Sequence, residues 1–156
     1  MSGIRDIWFY ANNIIKSARR MVNEELRPLK LSSAEGNVLL HLLACDHILR
    51  QEDLVKELEI SKPAVSRALF SLEKKGFVRR EKDPFDKRVS RVFLTEKAAV
   101  IGPLVEQVYE KVFSLAAREV SAAELHSFIA LFRRVSASFS RAGQQKKQKE
   151  APNDCK

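Results

Sequence analysis

The 156-residue chain has only two cysteines, Cys45 in an apolar run and Cys155 in a polar terminal segment, with neither metal-ligand spacing nor a CxxC arrangement. Thiols so few and so placed do not make a disulfide framework, and a reducing cytoplasm is the compartment expected. No stretch approaches the ~20 uninterrupted apolar residues of a membrane-spanning helix. The opening MSGIRDIWFY lacks the basic segment and apolar run of an export signal. Gly-rich phosphate loops, nucleophile–base pairs and metal-ligand clusters are also missing. His41, His47 and His126 have no HxxxH-type spacing and no nearby set of acidic partners. The expectation is a protein that is not an enzyme, with no cofactor and no metal.

What is present is basic charge. The formal net charge is +8, of which +3 sits in residues 141–156, so residues 1–140 carry +5. Such a surplus attracts nucleic acid or an anionic membrane, and composition alone does not choose between them. The placement of the charge has to decide.

Apolar residues recur from Ile4 through Ile7, Trp8, Ala11, Ile14, Ile15, Ala18, Met21 and Val22 to Leu26, the stripe of one long amphipathic helix. It should end at Arg27-Pro28, because the residue before proline is pushed out of helical angles. Ser32 and Glu35 form a capping-box pattern for a second helix that buries Val38, Leu39, Leu42 and Leu43. A short third helix, about Gln51 to Leu58, buries Leu54, Val55 and Leu58. Ser61 caps a fourth, with Pro63 in its first turn and Gly76 as its left-handed stop. The period then changes from helical to alternating: residues 77–82 and 89–94 read as two strands around the turn Asp83-Pro84-Phe85-Asp86-Lys87-Arg88. Thr95 caps a fifth helix carrying Val100, Leu104, Val105, Val108, Val112, Phe113 and Leu115, which Gly102-Pro103 should kink or split. Ser121 and Glu124 open a last helix with Leu125, Phe128, Ile129, Phe132, Val135 and Phe139 on its apolar face. No internal repeat is present.

The fourth helix carries the candidate site. On a helical wheel Val65, Ala68, Leu69 and Leu72 share one face, Arg67 and Lys74 lie opposite, Ser66 flanks them, and Lys62 and Ala64 sit at the amino end. A short helix, a tight turn and a second helix with small and basic outward residues suit entry into the major groove, where side chains reach base edges. The amino-terminal amides and Lys62 would hold a phosphate while Arg67 reads bases. The hairpin supplies a second contact through Lys82, Lys87, Arg88 and Arg91, with Arg88 suited to the electronegative minor groove. Asp86, acidic among cations, makes no sense as a phosphate contact and would instead orient Arg88.

The run Ser61-Lys-Pro-Ala-Val-Ser-Arg-Ala-Leu, then Leu72-Glu-Lys-Lys-Gly-Phe-Val-Arg-Arg, Asp83-Pro-Phe-Asp-Lys-Arg and Leu94-Thr-Glu-Lys, resembles the MarR family of bacterial and archaeal regulators. The basic tail at 143–156 has almost nothing to bury and is expected to be disordered. The resemblance implies a mainly α fold with a small β-hairpin wing: a winged helix-turn-helix lobe at 31–95, dimerisation helices at 4–30 and 96–140, and one domain over 1–142. It also implies a homodimer on a pseudopalindromic double-stranded DNA operator, and a ligand-responsive repressor whose effector is small and aromatic or anionic. By the same resemblance Ser61, Lys62, Ser66 and Arg67 belong to the recognition helix, and Asp86 with Arg88 to the wing's aspartate-x-arginine pair. Ala98, where the family often has glycine, Gly102-Pro103 and an outward Phe70 depart from the pattern. Some relatives sense peroxide through a cysteine near the chain start, where this sequence has none, so Cys45 reads as a structural thiol. The competing reading is a winged-helix module that binds protein or RNA, for which cations on both recognition helix and wing tip would be less needed.

Overall fold

The residues described, 2–149 of a computed structural model, form six α-helices, one 3-10 turn and three strands. Helix α1, Ser2–Leu26, runs unbroken to the proline and leaves through a 3-10 turn, Arg27–Leu29. Lys30 closes that turn in the left-handed region at φ 56°, its N–H donating to the Arg27 carbonyl.

Helix α2, Ser33–Ala44, opens on the expected capping box: Glu35 N donates to Ser32 Oγ at 3.3 Å and Ser32 N donates back to Glu35 Oε2 at 2.7 Å. Its inner face buries Val38, Leu39 and Leu42. Gly36 leaves room for close neighbours of α2, since a Cβ there would stand 2.7 Å from Leu26 Cδ1 and 2.9 Å from the Tyr109 hydroxyl. That hydroxyl donates to the Ser33 carbonyl at 3.0 Å.

Two residues, Leu49–Arg50, form strand β1, which the sequence pattern did not suggest because two residues cannot display an alternation. Helix α3, Gln51–Glu57, follows directly, its start held by Arg50 N donating to Asp53 Oδ2 at 2.8 Å. It buries Leu54 fully, Val55 and Leu58 only partly. The turn to α4, Lys62–Lys74, places Glu59 at φ 52°. Gly76, at φ 78°, stops α4 as expected, with Phe77 N donating back to the Leu72 carbonyl.

Strands β2, Val78–Lys82, and β3, Ser90–Leu94, are antiparallel with Arg80 opposite Val92. Phe77 and Val89 fall just outside them. The sheet order is β1-β3-β2, with Leu49 opposite Val92.

Helix α5, Glu96–Ala116, starts where Ala98 N donates to Thr95 Oγ1 at 3.4 Å, while that hydroxyl donates to the Gly76 carbonyl at 2.7 Å. One side chain thus caps a helix and fastens the end of the preceding one. Gly102-Pro103 does not split α5, which is continuous through both. Gly102 is buried instead, and a Cβ on it would come within 3.1 Å of Leu43 Cδ1. The glycine serves packing, and Pro103 faces solvent, where one missing helical hydrogen bond is least costly.

The chain divides into two units at Phe113 and Ser114. The first holds one core, with Leu26, Leu39, Leu49, Leu54, Leu69, Leu72 and Val105 almost wholly removed from water. Each such side chain contributes about 2 kcal/mol of transfer free energy. A buried ion pair joins its elements: Lys75 Nζ meets Glu35 Oε1 at 2.6 Å and also donates to the Lys30 carbonyl at 2.7 Å. Burial raises the Glu35 carboxyl, but hydrogen bonds from Lys75, Ser71 and Ser32 together outweigh it and hold the group below its ordinary 4.5.

The second unit is built on α6, Ala122–Lys149, whose start repeats the capping box: Ser121 N donates to Glu124 Oε2 at 2.9 Å and Glu124 N to Ser121 Oγ at 3.3 Å. Along it Phe128 and Phe132 stack at 5.3 Å between ring centroids. The helix continues past Ala142 into the segment expected to be disordered. The local reason is composition, since glutamine and lysine are good helix formers and need no packing to extend a helix already begun. The side chains of Lys146, Lys147 and Lys149, and the whole of residues 150–156 with Cys155, lie outside the described residues. No helix described is long and apolar enough to cross a membrane.

Candidate nucleic-acid interface

Helix α4 is locked on one side and open on the other. Val65, Ala68, Leu69 and Leu72 are buried, while Lys62, Arg67 and Lys74 are exposed and Ala64 and Ser66 half-buried. The Ser61 cap is present, Ala64 N donating to its Oγ at 3.4 Å, with Pro63 in the first turn. Arg67 and Lys87 have no ion-pair partner among the described residues, so both cations are free to meet an external anion. Lys62 Nζ lies 3.9 Å from Glu52 Oε1, a solvated contact of little strength.

Phe70 does point outward, 59% exposed, with Lys74 Nζ 5.9 Å from its ring centroid. It lines an open recess of about 420 Å³ with Ser66, Arg67 and Arg80. Four side chains from α4 and β2 thus share one depression on the outward side of the helix.

The wing tip is ordered by two aspartates in different roles. Asp86 accepts from Arg88 N at 3.0 Å and Nε at 3.2 Å through Oδ1, and its Oδ2 accepts from an Arg88 guanidinium nitrogen at 3.3 Å. The expected orienting contact is therefore present, and the Arg88 guanidinium holds the Asp86 carboxyl below its usual range. Arg88 stays 91% exposed by its side chain. A side chain both aimed and solvated has little to reorganise when a phosphate or base edge arrives.

Asp83 was not singled out from the sequence. Its carboxylate is only 6% exposed and accepts from Phe85 N at 2.9 Å and Asp86 N at 3.2 Å, an Asx turn that builds the tip from inside. Its Oδ2 lies 3.7 Å from Arg91 Nε and 3.9 Å from an Arg50 nitrogen. The Phe85 amide chiefly, then that of Asp86 and the two guanidinium charges, hold its carboxyl below the usual value against the opposing pull of burial. The Asp83-Pro84 dipeptide was the available signal. Arg91, expected to meet DNA directly, is thereby engaged with Asp83 and lies 6.0 Å from the Phe93 ring centroid.

A second omission is the pair that fixes wing to helix. Arg80 Nε and a terminal nitrogen donate to Glu73 Oε2 at 3.0 and 2.6 Å, and Arg80 N donates to Oε1 at 3.1 Å. Glu73 is on α4 and Arg80 on β2, so the bidentate contact sets the angle between them. One further grouping brings the two predicted contacts together: Lys62 from α4 and Arg88 from the wing line a single cleft of about 130 Å³, with Gln51, Glu52, Val89 and Ser90.

Residues 34–90 match the MarR family model. A mutant MarR from E. coli, solved in complex with operator DNA, is similar at a TM-score of 0.76 with 27% identity, over 85% of this chain and 94% of that one. Both likenesses point to the MarR family. The fold is the winged helix-turn-helix of these structures. Two further structures agree in fold alone: a MarR transcriptional regulator from Methanosarcina mazei Go1, at a TM-score of 0.78, 22% identity, 87% of this chain and 98% of that chain, and a MepR–DNA complex from S. aureus, at 0.79, 21%, 83% and 96%. The matched segment, 34–90, runs from α2 to the first residue of β3 and so contains α4 and the wing tip.

Cys45 is half-buried, and burial first, then the charges of Glu57 and Asp46, push its thiol up from 9.0. A thiol so disposed is a poor nucleophile, which fits the structural role expected of it better than an oxidant sensor. The structure does differ from the sequence reading around it. His41 has an acidic partner after all, Glu57, brought by the fold from the end of the next helix.

Proposed function

We propose that this chain is a transcriptional regulator of the MarR family that binds double-stranded DNA sequence-specifically as a homodimer in the cytoplasm and acts as a repressor. The observation that carries the reading is the convergence of Lys62, at the start of the recognition helix, and Arg88, on the wing, on one cleft. Two cations from separate elements then face one polyanion. Arg67, solvated and without a partner among the described residues, is the base reader, with guanine its best match through a bidentate pair. Lys62 and the amino-terminal amides of α4 hold phosphate, Arg88 enters the minor groove under Asp86's control, and Ser61, Ala64 and Ser66 offer small surfaces that admit the backbone closely. Lys74, Lys87 and Arg91 add positive potential, Arg91 at one remove because it is shared with Asp83.

The homodimer is supported by apolar side chains that one chain leaves in water: Ile7, Trp8, Ile14 and Ile15 on α1, and Phe128, Ile129, Phe132 and Phe139 on α6. Ligand response rests on the family. A small aromatic or anionic effector would release DNA by binding better to a spacing of the two lobes that does not fit the operator.

The test is fluorescence anisotropy of the purified protein on a duplex from its own upstream region and on a scrambled duplex, over a salt series. Preference for the native duplex with a steep loss of affinity at higher salt supports the reading. Absence of binding to either at low salt rejects it in favour of a protein- or RNA-binding module.

A further inference from the structure

Away from the recognition helix and wing, three side chains of different chemistry converge. His41 lies on the last turn of α2 and Cys45 one turn beyond it, a spacing of four that puts ring and thiol on one side of the helix. Glu57 is the last residue of α3, and its Oε2 accepts from His41 Nε2 at 2.5 Å. The imidazole nitrogen, the sulfur and the carboxylate oxygen all lie within 4.8 Å of one another.

We propose that His41 Nε2, Cys45 Sγ and the Glu57 carboxylate hold a divalent transition-metal ion of the zinc class, with water as the fourth ligand. One imidazole, one thiolate and one carboxylate are the donors zinc takes, whereas magnesium and calcium take oxygen and avoid sulfur. Ligand atoms at zinc distances in a tetrahedron stand roughly 3.3–3.8 Å apart. The His41–Glu57 pair stands below that range at 2.5 Å and the other separations are within 4.8 Å, so small side-chain rotations are what an ion would require.

The charges agree with the geometry. Thiolate and carboxylate neutralise a dication while the imidazole stays neutral, and Asp46, beside Cys45 and paired with His47 at 3.1 Å, adds further negative potential. The surroundings that keep the thiol protonated without metal, burial and the two carboxylates, are those a cation reverses. On binding, the Cys45 proton leaves to solvent, and the proton on His41 Nε2 moves by exchange with water to Nδ1 so that Nε2 presents a lone pair. One net proton is therefore released per ion. The site is reachable: the His41 side chain is 26% exposed and that of Glu57 40%, which leaves room for the water ligand. An ion there fastens the end of α3, whose next residues turn into α4, onto α2.

The experiment is titration of the full chain with Co²⁺ in a Cys155→Ser background, where Cys45 is the sole thiol. One equivalent should bind with a thiolate-to-cobalt charge-transfer band and d–d bands of tetrahedral intensity, both abolished by excess Zn²⁺. Calorimetry in buffers of different ionisation enthalpy should show about one proton released per ion at neutral pH. Cys45→Ser should remove the charge-transfer band. His41→Ala and Glu57→Gln should each weaken binding by more than about 100-fold, beyond what loss of a merely supporting residue costs. His126→Ala should bind like the parent. Circular dichroism checks each variant's fold, and Glu57→Gln, an exposed and isosteric change, carries the test if His41→Ala unfolds. Lack of saturable binding of one equivalent by the parent, or a charge-transfer band that survives Cys45→Ser, overturns the proposal. No readout involves DNA, so the site and the DNA-binding reading fail separately.

Discussion

The winged lobe and the helices that flank it treat apolar surface in opposite ways. Between Leu31 and Ala98 every large apolar side chain is buried or half-buried within one chain except Ile48, Phe70 and Phe85. The first half of α1 and the whole described length of α6 bury nothing fully, and leave Trp8, Phe9, Tyr10, Phe128, Phe132 and Phe139 in water. A lobe that closes its own core is a module that can be aimed. Helices that leave theirs open are the ones that the proposed homodimer would cover with the same surface of another copy.

The contrast breaks most severely if the exposed helices are made polar. The double variant Trp8→Glu/Phe132→Glu should be monomeric by light scattering and lose about 100- to 10,000-fold in operator affinity, because two lobes no longer act as one bivalent ligand. Its lobe should stay folded. Conversely, Glu35→Ala strikes the lobe alone. Removing the carboxylate leaves Lys75 without its partner at 2.6 Å and should cost about 3 kcal/mol in chemical denaturation, the lower end for a broken buried pair because Lys75 keeps some water.

Within the lobe, helix and wing should separate by specificity. Arg67→Ala should lower affinity for the operator by about 10- to 100-fold and leave scrambled DNA little changed, as expected of a base contact. Arg88→Ala should weaken binding to both duplexes alike and reduce the salt slope by about 1, as expected of a backbone contact. Asp86→Asn, which keeps the shape but removes the charge holding Arg88 at 3.2 Å, should reproduce part of the Arg88→Ala loss.

The smallest effect is on acid stability. The Glu35 carboxyl is held below 4.5 in the folded protein, so its contribution is complete above about that pH and is lost as pH falls through the lower folded value. In Glu35→Gln the stability curve should be flatter below pH 4.5 than in the parent, measured by denaturant midpoints across the acid range.

The helix starts were legible residue by residue. Ser32, Ser61, Thr95 and Ser121 all cap as their spacing suggested, because a capping interaction is made within three residues and needs nothing from the rest of the fold. The buried face of α4 was legible for the same reason. The Asp86–Arg88 contact was too, spanning only two residues.

What local sequence could not display were contacts whose partners are remote or whose meaning changes on packing. Strand β1 exists only because Val92 and Arg91 lie opposite it. Gly102 reads as a helix breaker until Leu43 is seen to need its space. Arg91 reads as an unshared cation until Asp83 is placed beside it, and His41 as a lone histidine until Glu57 arrives from another helix. Sequence by itself determined the order of helices and strands, their caps and the charged outward face of the recognition helix, all set by interactions of a few residues or by periodicity. Tertiary structure decided which charges are spent on one another and which remain for a partner, because that depends on distances between elements that no spacing along the chain records.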